Sequence, residues 1–148
     1  MKLLNKSMLV VLFSIFTSTG FAQKAETKQK LFAAYPENIS LNKIFITDAF
    51  SYNTGTSVSV ELSANFHFAG TVISNQQKYD NLQTIMIRSS ENYHSIFQLS
   101  KITNNDKSAS YAGFIINNDA ADGYIIKNNN GMYSLQKFES DKILELCN

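Results

Sequence analysis

Cysteine, proline, arginine, histidine and tryptophan are nearly missing from this 148-residue chain: it holds one Cys, one Pro, two His and no Trp, and Arg88 is its sole arginine. A single thiol cannot close a disulfide within the chain, so stability must come from packing. That thiol, Cys147, stands next to last with no His or Lys beside it to favour the thiolate. It reads as an ordinary terminal thiol, with pairing between chains left open. His67, His94 and Cys147, with no HxxxH and no CxxC, fall short of the ligand set of a zinc site. There is no G-x-S-x-G elbow, no glycine-rich phosphate loop and no dinucleotide fingerprint. "NNDAADGY" places Asp119 and Asp122 among amide oxygens but lacks calcium-loop spacing, so these two read as turn residues. The expectation is a protein with no cofactor, no metal and no catalytic residue that can be named.

Charge is also sparse and mixed. The first 22 residues, "MKLLNKSMLVVLFSIFTSTGFA", combine Lys2 and Lys6, an apolar run from Met8 to Phe16, and Gly20-Phe21-Ala22 before Gln23. This is the pattern of a secretory signal peptide, and its apolar core is far shorter than the ~20 residues of a membrane span. The mature part is therefore expected to be residues 23–148, exported to the periplasm, the cell surface or the exterior, with no membrane span. Setting Lys2 and Lys6 aside leaves eleven basic against twelve acidic side chains, scattered along the sequence. Nothing in that order offers the basic field that nucleic acid or anionic lipid requires.

What the chain does have is alternation. Residues 23–34 are polar and helix-compatible up to the break at Pro36. In "ENISLNKIFITDAF", Ser40 can cap a helix that places Leu41, Ile44, Phe45 and Ala49 on one face, although Ile44-Phe45-Ile46 also suits a strand. After "SYNTGT" the period becomes two: Val58, Val60 and Leu62, then Phe66, Phe68, Gly70 and Val72, alternate with polar or small residues. β-prone runs follow at "LQTIMIRS", "SIFQLSKIT", "SASYAGFIIN", "DGYIIKN" and "MYSLQKFE", separated by "NQQKYDN", "SENYH", "TNNDK", "NDAAD" and "NNNG". These separators hold the Asn, Asp, Ser and Gly residues of turns and are too short for crossover helices. Asn130-Gly131 marks the clearest hairpin. "SDKILELC" reads as a closing helix capped by Ser140 or as an edge strand.

The predicted fold is mainly β: one antiparallel meander forming a small barrel or a sandwich, with one or two short N-terminal helices. Phe66, Phe68, Phe97, Tyr111, Phe114 and Tyr133 are its expected core. His67 takes the parity opposite to Phe66 and Phe68 and should face outward. With a loop at Ser63, Ala64 and Asn65, Leu62 would face Phe66 and Glu61 would face His67. Tyrosine and asparagine in connectors on a rigid β scaffold suit contacts to sugars or protein surfaces. His67, Glu61, Arg88, Tyr93 and Tyr124 are the surface binding candidates. The expected function is a non-catalytic binding or structural module for a glycan or another exported protein, without nucleic acid. The alternatives are a hydrolase of carbohydrate or peptide, using a carboxylate pair or His67 with a carboxylate, and an inhibitor or chaperone-like partner of an exported protein.

Overall fold

The runs with a period of two become strands. The computed structural model describes residues 28–91 and 94–139. Eight strands follow in order: β1 Asn38–Ser40, β2 Ser57–Ser63, β3 Phe66–Tyr79, β4 Leu82–Ser89, β5 Ser95–Thr103, β6 Ala109–Asn117, β7 Asp122–Asn129 and β8 Met132–Glu139. Between β1 and β2, helix α1 (Lys43–Asp48) runs on into a 3-10 turn, Ala49–Ser51. All neighbouring strands are antiparallel in the order β1-β8-β7-β6-β5-β4-β3-β2, and the sheet curls into a nearly closed barrel. The meander is as expected, and of the two architectures the chain takes the barrel. The segments predicted as "SDKILELC", Cys147 and Tyr93 lie outside the described residues.

Parity in the first hairpin holds. Val58, Leu62, Phe66, Phe68 and Val72 are buried, while Ser57, Ser59, Glu61, His67 and Thr71 face outward. Glu61 pairs with His67 as expected, but Ser63, not Leu62, pairs with Phe66. A bulge after Glu61 makes Leu62 the extra residue and shortens the loop to Ala64 and Asn65. "NQQKY", read as a connector, is strand instead: Asn75, Gln76 and Gln77 pair with Ile85, Thr84 and Gln83. Their amides find work there, since Asn75 Nδ2 donates to the carbonyls of Phe50 and Tyr52, 2.9 Å each, fastening the 3-10 turn to the wall. The expected Asn130-Gly131 hairpin forms with both residues at positive φ, 53° and 86°.

Two corrections concern the N-terminal part. In the described portion of the first predicted helix no helix forms, because its backbone groups bond across the barrel instead. The Leu31 and Phe32 N–H groups donate to the Asp122 carboxylate, and the Gln29 carbonyl accepts from the Ala121 N–H. Helix α1 does form, but Asn42 caps it rather than Ser40, which pairs with Ser134 in β1. That later start turns its buried face to Ile46, Ala49 and Phe50 and leaves Ile44 outside.

The barrel therefore has two distinct ends. The β3–β4, β5–β6 and β7–β8 turns lie at one, which α1 and the 3-10 turn close: Phe45 packs 6.1 Å from Phe97, and Phe50 packs 6.0 Å from Tyr111, ring centre to ring centre. At the other end residues 28–37 form a plug. Its Phe32 is fully buried with ring centres 5.6 Å from Tyr124 and 5.9 Å from Phe66, and Tyr35 stacks on Phe66 at 4.3 Å. Between the ends Ile85, Ile87, Phe97, Leu99, Ile115 and Leu135 are all out of contact with water. At roughly 25 cal/mol per Å² of apolar surface, this filled interior is the main source of stability. Phe114, expected in the core, faces outward opposite Gln98 and Ile125, as the parity of buried Tyr111 and Ile115 requires.

Candidate functional site

Cross-strand register assembles one polar cluster on the outer wall. Glu61 of β2 lies opposite His67 of β3, and Ser59, one outward position further along β2, reaches the same imidazole. Ser59 Oγ and His67 Nε2 are 2.7 Å apart. On the other side of the ring, Glu91 Oε1, just past the end of β4, stands 3.7 Å from Nδ1. A proton on Nδ1 satisfies both contacts: it points toward the carboxylate and leaves Nε2 to accept from the serine hydroxyl.

Hydroxyl, imidazole and carboxylate thus stand in the order of a nucleophile, its base and the group that orients the base. The surroundings differ from those of a working relay. The His67–Glu91 separation exceeds hydrogen-bond length, and both side chains are about half exposed on an open wall. Water there weakens the electrostatics that such a relay draws from a closed pocket. The arrangement forms a hydrogen-bonding patch with an acidic surround.

The other sequence candidates are placed differently. Arg88 is exposed on the same wall, opposite Thr71, in the row that also contains Ser57, two outward rows from Glu61 and His67. His94 is exposed in the connector after β4, and Tyr93 lies outside the described residues. Tyr124 is not a surface residue. It is fully buried under Phe32 and Phe66, and its hydroxyl donates to the Pro36 carbonyl at 2.6 Å. Burial, joined by the charges of Glu37 and Asp122, pushes this phenol up to about 12. Asp122, Gly123 and Tyr124 are all buried at the start of β7, where the plug packs on Asp122 and Tyr124, so no alternation marks the inner face there.

Asp122 also departs from its reading as a turn residue. It is 2% exposed, and its carboxylate accepts the Leu31 N–H at 2.7 Å and the Phe32 N–H at 3.0 and 3.1 Å. Around it sit Lys30, paired with Glu139 at 2.6 Å, and Lys137, which donates to the Tyr35 carbonyl at 2.5 Å and stands 3.2 Å from Glu37. The hydrogen bond and charge of Glu139 hold the Lys30 ammonium above its usual range. These groups line a depression of about 130 Å³, and another of about 250 Å³ lies beside Gln29, Asn117 and Asp119. Both are seams where the plug meets the wall. Among the described residues no three His, Cys, Asp or Glu side chains stand close enough to hold a metal ion, and no helix is long and apolar enough to cross a membrane. No protein-family model matches this chain, nor does any curated protein or solved structure.

Proposed function

We propose that this chain is an exported, non-catalytic binding module that works through the outside of its barrel, with the polar wall of β2, β3 and the end of β4 engaging another exported protein. The observation that supports this reading is the filled interior. A barrel that carries a small ligand needs a cavity in its mouth or core. Here Phe32 occupies one mouth, Phe45 and Phe50 the other, and fully buried side chains lie between. The wall offers recognition chemistry, since Ser59, Glu61, His67, Arg88 and Glu91 present donors and acceptors there. The described residues beside this cluster are charged or hydrogen-bonding, and the exposed ring on β3, Tyr79, is at the far end of the strand, so protein side chains suit the cluster better than a glycan. Export rests on the leader.

The test is affinity capture from the exported fraction of the native host with wild type and with Glu61→Lys/Arg88→Glu. A partner held by wild type and lost by a variant of unchanged circular dichroism is expected. Equal capture by both, or retention on a glycan column instead, overturns the reading. Mass spectrometry of the exported chain should place its N-terminus near Gln23.

One observation favours a second reading, hydrolysis by Ser59 with His67 as base and Glu91 behind it: the 2.7 Å contact between Ser59 and Nε2. A fluorophosphonate probe decides it. Labelling of Ser59 that disappears in His67→Ala would make the protein a serine hydrolase, and no labelling would remove that chemistry.

A further inference from the structure

The large apolar side chains that the fold leaves outside are not spread evenly. Leu31, 38% exposed, is on the plug, but Ile44 at 69%, Tyr79 at 71%, Met132 at 73% and Ile102 at 36% all lie at the end closed by α1. Ile44 is on α1 itself, Tyr79 ends β3, Ile102 is next to last in β5, and Met132 begins β8. The register carries Tyr79, Leu82 and Ile102 across three adjacent strands in one row.

The charges that look scattered along the sequence are sorted by the same topology. Among the described residues Lys43, Lys78, Lys101, Lys107 and Lys127 lie at the α1 end against Asp48, Asp80 and Asp106, five against three, a net +2. Among the described residues the plug end holds Lys28, Lys30, Arg88 and Lys137 against Glu37, Glu61, Glu91, Asp119, Asp122 and Glu139, four against six, a net −2. A barrel charged in this way presents its α1 end to an anionic surface.

We infer that the α1 end of the barrel is a docking surface for a lipid bilayer with anionic headgroups. The apolar side chains stand on separate elements with lysines between them. Separate tips of this kind enter a fluid interface one by one, while the lysines remain at headgroup level. Tyr79 suits that depth, with an apolar ring and a hydroxyl that stays hydrated. The rim is a different surface from the polar wall proposed above for protein recognition, so the loss of either leaves the other in place.

The test is co-sedimentation of the exported chain with vesicles of phosphatidylcholine alone and with phosphatidylglycerol added. Binding to the anionic vesicles only, released by high salt, is expected. Each lysine near such a surface is worth roughly fivefold in affinity, so Lys43→Glu/Lys78→Glu should weaken binding by about 25-fold or more. Tyr79→Ser/Met132→Ser should weaken it as well, and Lys28→Glu at the plug end should leave it unchanged, all with wild-type circular dichroism. Failure to sediment with anionic vesicles overturns the inference, as does equal binding to both vesicle types or an equal loss from Lys28→Glu. So does a photocrosslinker at position 79 that captures a protein in place of lipid.

Discussion

Removing the plug's anchors one at a time and then together asks whether residues 28–37 act as one unit. Phe32→Ala deletes a fully buried ring that touches Tyr124, Phe66 and Tyr35. A change of that kind costs about 3–5 kcal/mol. Asp122→Ala leaves the Leu31 and Phe32 N–H groups without their acceptor. A buried donor so stranded costs about 1–3 kcal/mol, and because Leu31 is partly exposed the total should be about 2–4 kcal/mol. Independent effects would sum to about 5–9 kcal/mol, most of the ~5–15 kcal/mol that holds a domain of this size together. Both side chains, however, stabilise by keeping one segment in one mouth, and once the segment leaves neither has more to lose. The double variant should therefore cost little more than Phe32→Ala alone, about 3–5 kcal/mol. Urea unfolding followed by circular dichroism measures this, and the slope against urea should fall in all three variants because less surface is folded. Losses that add to within about 0.5 kcal/mol would refute the single-unit plug.

Other positions make separate tests. Tyr124 has a folded-state pKa of about 12, above the usual 10, so its neutral form belongs to the folded state. Its contribution is complete below the unfolded value and is lost as pH rises from about 10 to 12; wild-type stability should fall across that window, and Tyr124→Phe should lack this part of the fall. Gly113→Ala would place a Cβ 2.2 Å from the Gln98 carbonyl oxygen and 3.2 Å from Ile126. A cost of about 1–3 kcal/mol in a thermal melt is expected, and a neutral or stabilised variant would contradict the close approach of β5 and β6. His67→Ala should change stability by no more than about 0.5 kcal/mol in urea. A loss of several times that would move the imidazole from the binding surface into the framework of the fold.

The strands were legible wherever one face of the wall is wet, because alternation then reports directly on the inside. That is why the first hairpin, with Phe66 and Phe68 inside and His67 outside, could be read residue by residue. The reading failed where tertiary contacts replace local ones. Residues 28–34 have a helix-compatible composition, yet their backbone groups bond to Asp122 and Ala121, about ninety positions away. "NQQKY" looks like a connector until Asn75 is seen to hold the carbonyls of Phe50 and Tyr52. Tyr124 was misjudged for a related reason: the plug that buries it arrives from the far end of the sequence.

The candidate site divides along the same line. Ser59, Glu61 and His67 belong to one hairpin, and their neighbourhood follows from parity alone. Glu91 depends on the next pairing, between β3 and β4, which contains a register shift between Val72 and Ser74 and sets Gly70 opposite Ser89. A slip of one residue there would move every side chain of β4 to the opposite face and draw the chain after it out of step. The charge polarity of the two ends is more remote still, since it is a property of strand direction and of which turns share an end. Lysines from the first turn of α1, the ends of β3, β5 and β7 and the β5–β6 turn become neighbours only because consecutive antiparallel strands return every second turn to the same place. Linear charge counting, which sees a near-neutral chain, averages over that geometry and so predicts no affinity for an anionic surface. The folded barrel, whose described residues carry +2 at one end and −2 at the other, predicts an orientation as well as an affinity.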